Sequence, residues 1–231
     1  MIPKLIHQLF WDFTDPFRMP PNSLLRNRAK LRALHPDFEH RYWNERQCSD
    51  LIREKDPSFY ATYDSYSNKT KYEYMKLFIL YLYGGFYFDM DIEVVHHIGP
   101  LTGLDWCSLI LFENGEDITT SCMGTIAFEP RVRQLLVGLK EHPETTGVRE
   151  ILPELHDLRV LPTTGIDMQS RRIIPQIAKQ FVADGVLLMP PQAMLGSEPD
   201  NAPLFGQVRH ADDHWKVEKA YVPLPMPIRM M

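Results

Sequence analysis

Gly84-Gly85-Phe86-Tyr87-Phe88-Asp89-Met90-Asp91-Ile92-Glu93 closes a long amphipathic run with two glycines, adds a short aromatic strand, and sets two carboxylates one residue apart at its end. Residues i and i+2 of a strand project to the same side, so an extended backbone lets Asp89 and Asp91 address one object. Hard divalent cations take oxygen ligands, and Mg²⁺ or Mn²⁺ is held by one or two carboxylates together with substrate phosphates. A metal–diphosphate site is the functional reading. An acidic turn beside a strand has the same composition, so the pair has to be weighed with its surroundings.

Upstream, Asn68 to Tyr83 carries the longest helical signal, with Tyr72, Met75, Ile79 and Leu82 recurring every three or four residues. Glu73, Lys76 and Leu80 fall on a neighbouring face. The two charges read either as a surface ion pair or as ligands for sugar hydroxyls beside the Asp-x-Asp strand. Gly84-Gly85 ends the helix by admitting positive φ.

At the start of the chain, Leu5 to Trp11 is an apolar run broken only by His7 and Gln8, too short for a helix and read as a buried first strand. Ligands of open α/β sheets lie beyond the carboxyl ends of strands, which is where Phe10 and Trp11 fall. Either aromatic can stack on a base or simply pack in the core. Ser23 is expected to cap a helix running to about Leu34, and Phe38 to Trp43 reads as a second strand. Ser49 to Tyr60 reads as a short helix.

Further on, Trp106 to Phe112 and Cys122 to Phe128 read as strands, Arg131 to Lys140 as a helix, and Val186 to Met189 as a strand. Asp167 to Ala183 is expected to be a helix kinked at Pro175. Alternating strands and helices argue α/β with a mainly parallel sheet. No G-x-G-x-x-G follows the first strand and no G-x-x-x-x-G-K-[ST] occurs, so neither a dinucleotide fold nor a P-loop is supported. G-x-S-x-G is absent too, against a hydrolase with a serine nucleophile.

With 231 residues, 44% hydrophobic and 24% charged, the chain reads as one globular domain. A net charge of −5 leaves no electrostatic footprint for nucleic acid. Cys48, Cys107 and Cys122 have neither metal-ligand spacing nor a disulfide pattern, which favours a reducing compartment. No leader and no run of about 20 apolar residues is seen. The expectation is a complete cytoplasmic protein, with peripheral contact at the inner face of the membrane as the nearest approach to lipid.

Several blocks together resemble one family, the DXD-containing glycosyltransferases of the Och1-like, capsular-polysaccharide type (glycosyltransferase family 32), and more distantly the glucosylating domains of large clostridial toxins. Ile2-Pro3-Lys4-Leu5-Ile6-His7-Gln8 is similar to the family's opening. His35-Pro36-Asp37-Phe38-Glu39, ending at Trp43, is similar to its next block, and Asn68 to Glu93 to its centre. The likeness is dense over residues 1–95 and sparse beyond.

The resemblance implies a GT-A fold over 1–231, with a donor-binding half at about 1–95 and an acceptor side and closing tail at about 96–231. It implies a retaining, metal-dependent transfer of a hexose from a nucleotide-sugar, a UDP-sugar before a GDP-sugar, to a glycan or lipid-linked saccharide. Phe10 or Trp11 would stack on the base, with Trp43 near the donor and Tyr87 against the diphosphate or sugar. Asp89 would touch ribose or sugar and share the metal, and Asp91 would ligate Mn²⁺ or Mg²⁺ directly. Glu73 and Lys76 stand where the family usually has Asp and Arg; Lys cannot reproduce the bidentate fork of Arg, which points to a different donor sugar.

His210 keeps the place of a family histidine, and His214-Trp215 replaces Ser-Trp four residues on, so either imidazole is a candidate metal ligand. Thr163-Thr164-Gly165-Ile166 resembles an acceptor-side turn, and Glu113 is the acidic candidate there. The metal would neutralise charge developing on the leaving diphosphate, with Lys76 adding electrostatic help. Two alternatives stay open beside polysaccharide synthesis: an effector that glycosylates protein, and a nucleotide-sugar-binding module without turnover.

Overall fold

The computed structural model describes residues 1–13, 19–94, 97–114, 117–145, 147–162, 166–167, 172–173 and 175–190. Strand β1 (Leu5–Leu9) leads to helix α1 (Asn22–Leu34), then β2 (Glu39–Trp43), α2 (Glu45–Lys55), α3 (Tyr60–Ser65), α4 (Asn68–Tyr83) and β3 (Gly85–Phe88). A single turn α5 (Gly99–Thr102) precedes the hairpin β4 (Leu109–Asn114) and β5 (Asp117–Thr125). Helices α6 (Pro130–Glu141) and α7 (Val148–Ile151), the two-residue pair β6 (Ile166–Asp167) and β7 (Arg172–Ile173), α8 (Pro175–Ala178) and β8 (Val186–Met189) complete the series.

Six strands form one sheet in the order β2-β1-β3-β5-β4-β8, in which β5 alone runs antiparallel to its neighbours. The expected α/β architecture, a mainly parallel mixed sheet flanked by helices, is borne out. Successive residues of β4 alternate between the two sides: Leu109 and Leu111 enter the core under α4 and α6, and Ile110 and Phe112 the core under α1 and α5. Both faces are covered, which is why these strands read as continuous apolar runs.

Gly84 and Gly85 have a purpose beyond ending α4. Gly85 has φ +93°, and a Cβ there would stand 2.4 Å from the carbonyl oxygen of Leu5; at Gly84, φ +64°, it would stand 2.7 Å from the Ala127 nitrogen. Only residues without a side chain let β3 enter between β1 and β5 at this spacing. Buried His7 then locks the junction. Its Nε2 bonds the Gly84 carbonyl at 3.0 Å, so it must carry the proton, and Nδ1 accepts the Trp43 indole N–H at 3.1 Å.

Several boundaries differ from those expected. α1 begins at Asn22 with Pro21 at its cap position, so Ser23 caps nothing. The expected helix Ser49 to Tyr60 is two helices: Asn44 starts α2 by a reciprocal capping box with Gln47, and the chain turns at Asp56-Pro57 before α3. The later strands are shifted to Leu109–Asn114 and Asp117–Thr125. Among the described residues the helix expected over Asp167 to Ala183 is replaced: Ile166–Asp167 pairs antiparallel with Arg172–Ile173, and of those described Pro175–Ala178 alone is α-helical, followed by a 3-10 turn. Pro175 stands at the first helical position, where its missing N–H costs nothing, rather than at a kink.

Candidate active site

The carboxyl ends of β1 and β3 lie side by side, with Ile6 opposite Phe86 and His7 opposite Tyr87. Helix α4 packs across them and brings its second turn to the same edge. Tyr72, Glu73 and Lys76 of α4 therefore meet Tyr87 and Asp89.

Asp89 is the centre of the network. Its Oδ1 accepts from the Tyr87 hydroxyl at 2.6 Å and faces the Tyr72 hydroxyl at 3.5 Å; its Oδ2 accepts from Lys76 Nζ at 3.3 Å. Lys76 Nζ also donates to Glu73 Oε1 at 2.9 Å, and Thr120 of β5 donates to Glu73 Oε2 at 2.8 Å. The backbone N–H of Asp89 reaches the Ser121 carbonyl at 2.9 Å. Two of the three ammonium protons of Lys76 are thus committed, which leaves one for a ligand.

Electrostatics keep Lys76 charged and the two phenols protonated. Burial pulls the Lys76 ammonium down, but the Asp89 and Glu73 carboxylates together outweigh it and leave its pKa raised. Burial first, and the Asp89 charge second, push both the Tyr72 and Tyr87 phenols well above their usual range. Both remain hydrogen-bond donors at any physiological pH.

Asp91 is placed by a turn, not by strand alternation. β3 ends at Phe88, and Ile92 N–H bonds back to the Asp89 carbonyl at 3.1 Å, closing a four-residue turn. The extended i, i+2 geometry expected for the pair is corrected accordingly. Asn27 of α1 anchors the turn through the Met90 carbonyl at 3.2 Å. The Asp91 charge adds a minor part to the raised pKa of Tyr72, and Asp91 stands in a more exposed position than Asp89.

The aromatic candidates separate. Trp11 is buried edge-on to Tyr72, ring centroids 5.3 Å apart, and its Nε1–H has no partner among the described residues. Gln8 Nε2, also buried, has none there either. Phe10 follows on the same strand end, half-buried, its N–H bonded to the Trp43 carbonyl. Trp43 is brought to a different place: it stacks on Tyr83, 5.8 Å between centroids, and gives its N–H to His7, so its side chain is spent on packing α4 against the sheet edge.

Glu113 is paired with Arg149 at 2.7 Å near the tip of the β4–β5 hairpin. His210 and His214 lie outside the described residues, as do Thr163, Thr164 and Gly165. Two participants escaped the sequence reading. Tyr72 was counted on the apolar stripe of α4, and Thr120 carried no signal; only a hydroxyl one residue before Glu73 hinted at the first.

Among the described residues no three His, Cys, Asp or Glu side chains are gathered to hold a metal. Both Asp89 oxygens already accept from protein donors, one of them a cation, so Asp89 suits a hydroxyl-bearing ligand better than a metal. Asp91 is a fitting oxygen ligand for a hard cation whose remaining ligands come from phosphate.

Several curated relatives align with the chain, two mannosyl-transferring proteins of yeasts among them. It is 30% identical over 139 residues to inositol phosphoceramide mannosyltransferase 3 of Schizosaccharomyces pombe, covering 60% of this chain and 37% of that protein. It is 27% identical over 143 residues to mannosyl phosphorylinositol ceramide synthase SUR1 of Saccharomyces cerevisiae, covering 62% and 36%. The chain thus spans little more than a third of the length of these relatives. Among solved structures, PaToxG glycosyltransferase superposes with a TM-score of 0.49 at 14% identity, over 67% of this chain and 68% of that one. Residues 21–108, which hold α1 through the Asp89–Asp91 turn, match the model of the glycosyltransferase sugar-binding region containing a DXD motif.

Proposed function

We propose that this chain is a metal-dependent retaining glycosyltransferase of GT-A type that moves a hexose, mannose first among candidates, from a nucleotide-sugar to a lipid-linked acceptor. The observation that carries the reading is Asp89, held by the Tyr87 phenol and the Lys76 ammonium, with the Tyr72 phenol 3.5 Å away, in a position behind the more exposed Asp91. The names of the relatives favour a phosphorylinositol-bearing sphingolipid as acceptor over a capsular polysaccharide.

On this reading Trp11 and Phe10 receive the base, and the unpartnered N–H groups of Gln8 and Trp11 offer it donors. Asp89 accepts a sugar or ribose hydroxyl through the lone pair of Oδ2 that Lys76 leaves open. The third N–H of Lys76 faces the same ligand, and Glu73, steadied by Thr120, accepts a second hydroxyl. Asp91 would hold Mn²⁺ or Mg²⁺, with His210 or His214 as the further candidates; a bound cation would neutralise charge on the departing diphosphate. Retention follows if the acceptor hydroxyl attacks from the face the diphosphate leaves, passing its proton to that diphosphate.

A donor panel tests the proposal. GDP-mannose, UDP-glucose, UDP-galactose and UDP-N-acetylglucosamine are offered with Mn²⁺, with and without a phosphorylinositol lipid, and nucleoside diphosphate is measured. One donor should give release that Asp91→Ala abolishes. Tight donor binding with no release from any of them would leave a binding module in its place.

A further inference from the structure

We propose that Tyr72 is a positioning residue that fixes the aromatic end of β1 and the acidic end of β3 in one relation, so that the two ends of a nucleotide-sugar are received together. The inference rests on the donor site described above.

The hydroxyl of Tyr72 has one proton and meets three partners: the Leu9 carbonyl at 3.0 Å, Tyr87 Oη at 3.3 Å and Asp89 Oδ1 at 3.5 Å. Tyr87 also has one proton, and Asp89 claims it at 2.6 Å. The Tyr72 proton therefore goes to the carbonyl of Leu9, the nearest of these three oxygens and that of the last residue of β1. The ring of Tyr72 stands edge-on to Trp11 at 5.3 Å and to Phe13 at 6.0 Å, so the same side chain that ties down the β1 carbonyl also supports the aromatic residues beyond it. Its other side lies beneath Lys76 Nζ, 4.9 Å from the ring centroid. At 7% exposure Tyr72 sits behind the ligand surface and acts through Trp11, Lys76 and Asp89.

Tyr72→Phe keeps the ring and removes the tether. The KM for the nucleotide-sugar should rise roughly tenfold, the worth of one good hydrogen bond, with kcat within about twofold of the parent. An unchanged KM, or a fall in kcat alone as from a smaller folded fraction, overturns the proposal. Should Tyr72→Phe melt below the assay temperature, Trp11→Phe and Asp89→Asn are combined in the Tyr72 parent. Coupled ends give KM effects that depart from multiplicative by at least about threefold, and purely multiplicative effects overturn it. A parent that releases nucleoside diphosphate from no donor refutes the transferase reading and this inference with it; an active parent with an unmoved Tyr72→Phe KM refutes the inference alone.

Discussion

Tyr87 Oη donates to Asp89 Oδ1 at 2.6 Å, so a strand residue and the acid two positions after it are joined side chain to side chain where β3 becomes a turn. The carboxylate is oriented before any ligand arrives, and the second phenol and Lys76 complete its setting. A preorganised acceptor of this kind does not have to reorient during a reaction.

Removing that bond tests how much it holds. Tyr87→Phe should fold and lose roughly 1.5–3 kcal/mol, the usual worth of a hydrogen bond to a charged group. A urea midpoint within about 0.2 M of the parent, at unchanged m, would show that Tyr72 and Lys76 suffice.

Lys76 is 2% exposed and separates two carboxylates. Lys76→Met leaves Asp89 and Glu73 facing each other without a cation and should cost roughly 3–5 kcal/mol, as breaking buried pairs does. Lys76→Arg retains the charge and should recover most of that stability. Equal thermal stability of the Met variant and the parent would rule the ion triad out as a structural element.

Acid should unfold the protein through two histidines. Burial pushes His7 down to about 4, and burial with the neighbouring His97 and His40 pushes His35 to about 4. His35 is fixed neutral by its partners: Nδ1–H donates to the Leu31 carbonyl and Nε2 accepts from Ile98 N–H. Between the unfolded value of 6.5 and about 4 the unfolded chain binds more protons, so stability rises with pH there. The contribution is complete above pH 6.5 and falls away as pH drops through this window, by roughly 3 kcal/mol for His7 at most. Urea midpoints at pH 7.5, 6 and 4.5 should decline, and less steeply in His7→Gln; parallel profiles for parent and variant would exclude His7 as a source.

Gly85→Ala should fail to fold or melt far below the parent. A positive φ alone costs on the order of 1–3 kcal/mol, and a Cβ 2.4 Å from the Leu5 oxygen forces β1 and β3 apart. A soluble variant with native-like melting would show that the strands can separate at little cost.

Helix α4, the glycine pair, β1 and β8 were legible in the residues, because their patterns are local: a 3.6-residue apolar period, a helix stop, and short apolar runs between turn residues. The resemblance to DXD-containing glycosyltransferases was legible for the same reason, its blocks lying in order along residues 1–95, and the matched region spans 21–108. The segment Asp167 to Ala183 was not. Its apolar spacing suits a helix, but Ile166–Asp167 and Arg172–Ile173 pair with each other, and cross-strand partners seven and five residues apart leave no period to read.

At the site the division is similar. The chain by itself determined that an acid pair follows a glycine-terminated helix carrying Glu73 and Lys76, since residue type and spacing state as much. Tertiary structure alone decided that Asp89 is enclosed while Asp91 stands at a turn, that Trp43 packs on Tyr83, and that Tyr72 joins β1 to β3. Thr120 reaches Glu73 from 47 positions away. Such contacts depend on which strand lies beside which, and strand order is set by burial of whole faces rather than by any residue's neighbours in sequence.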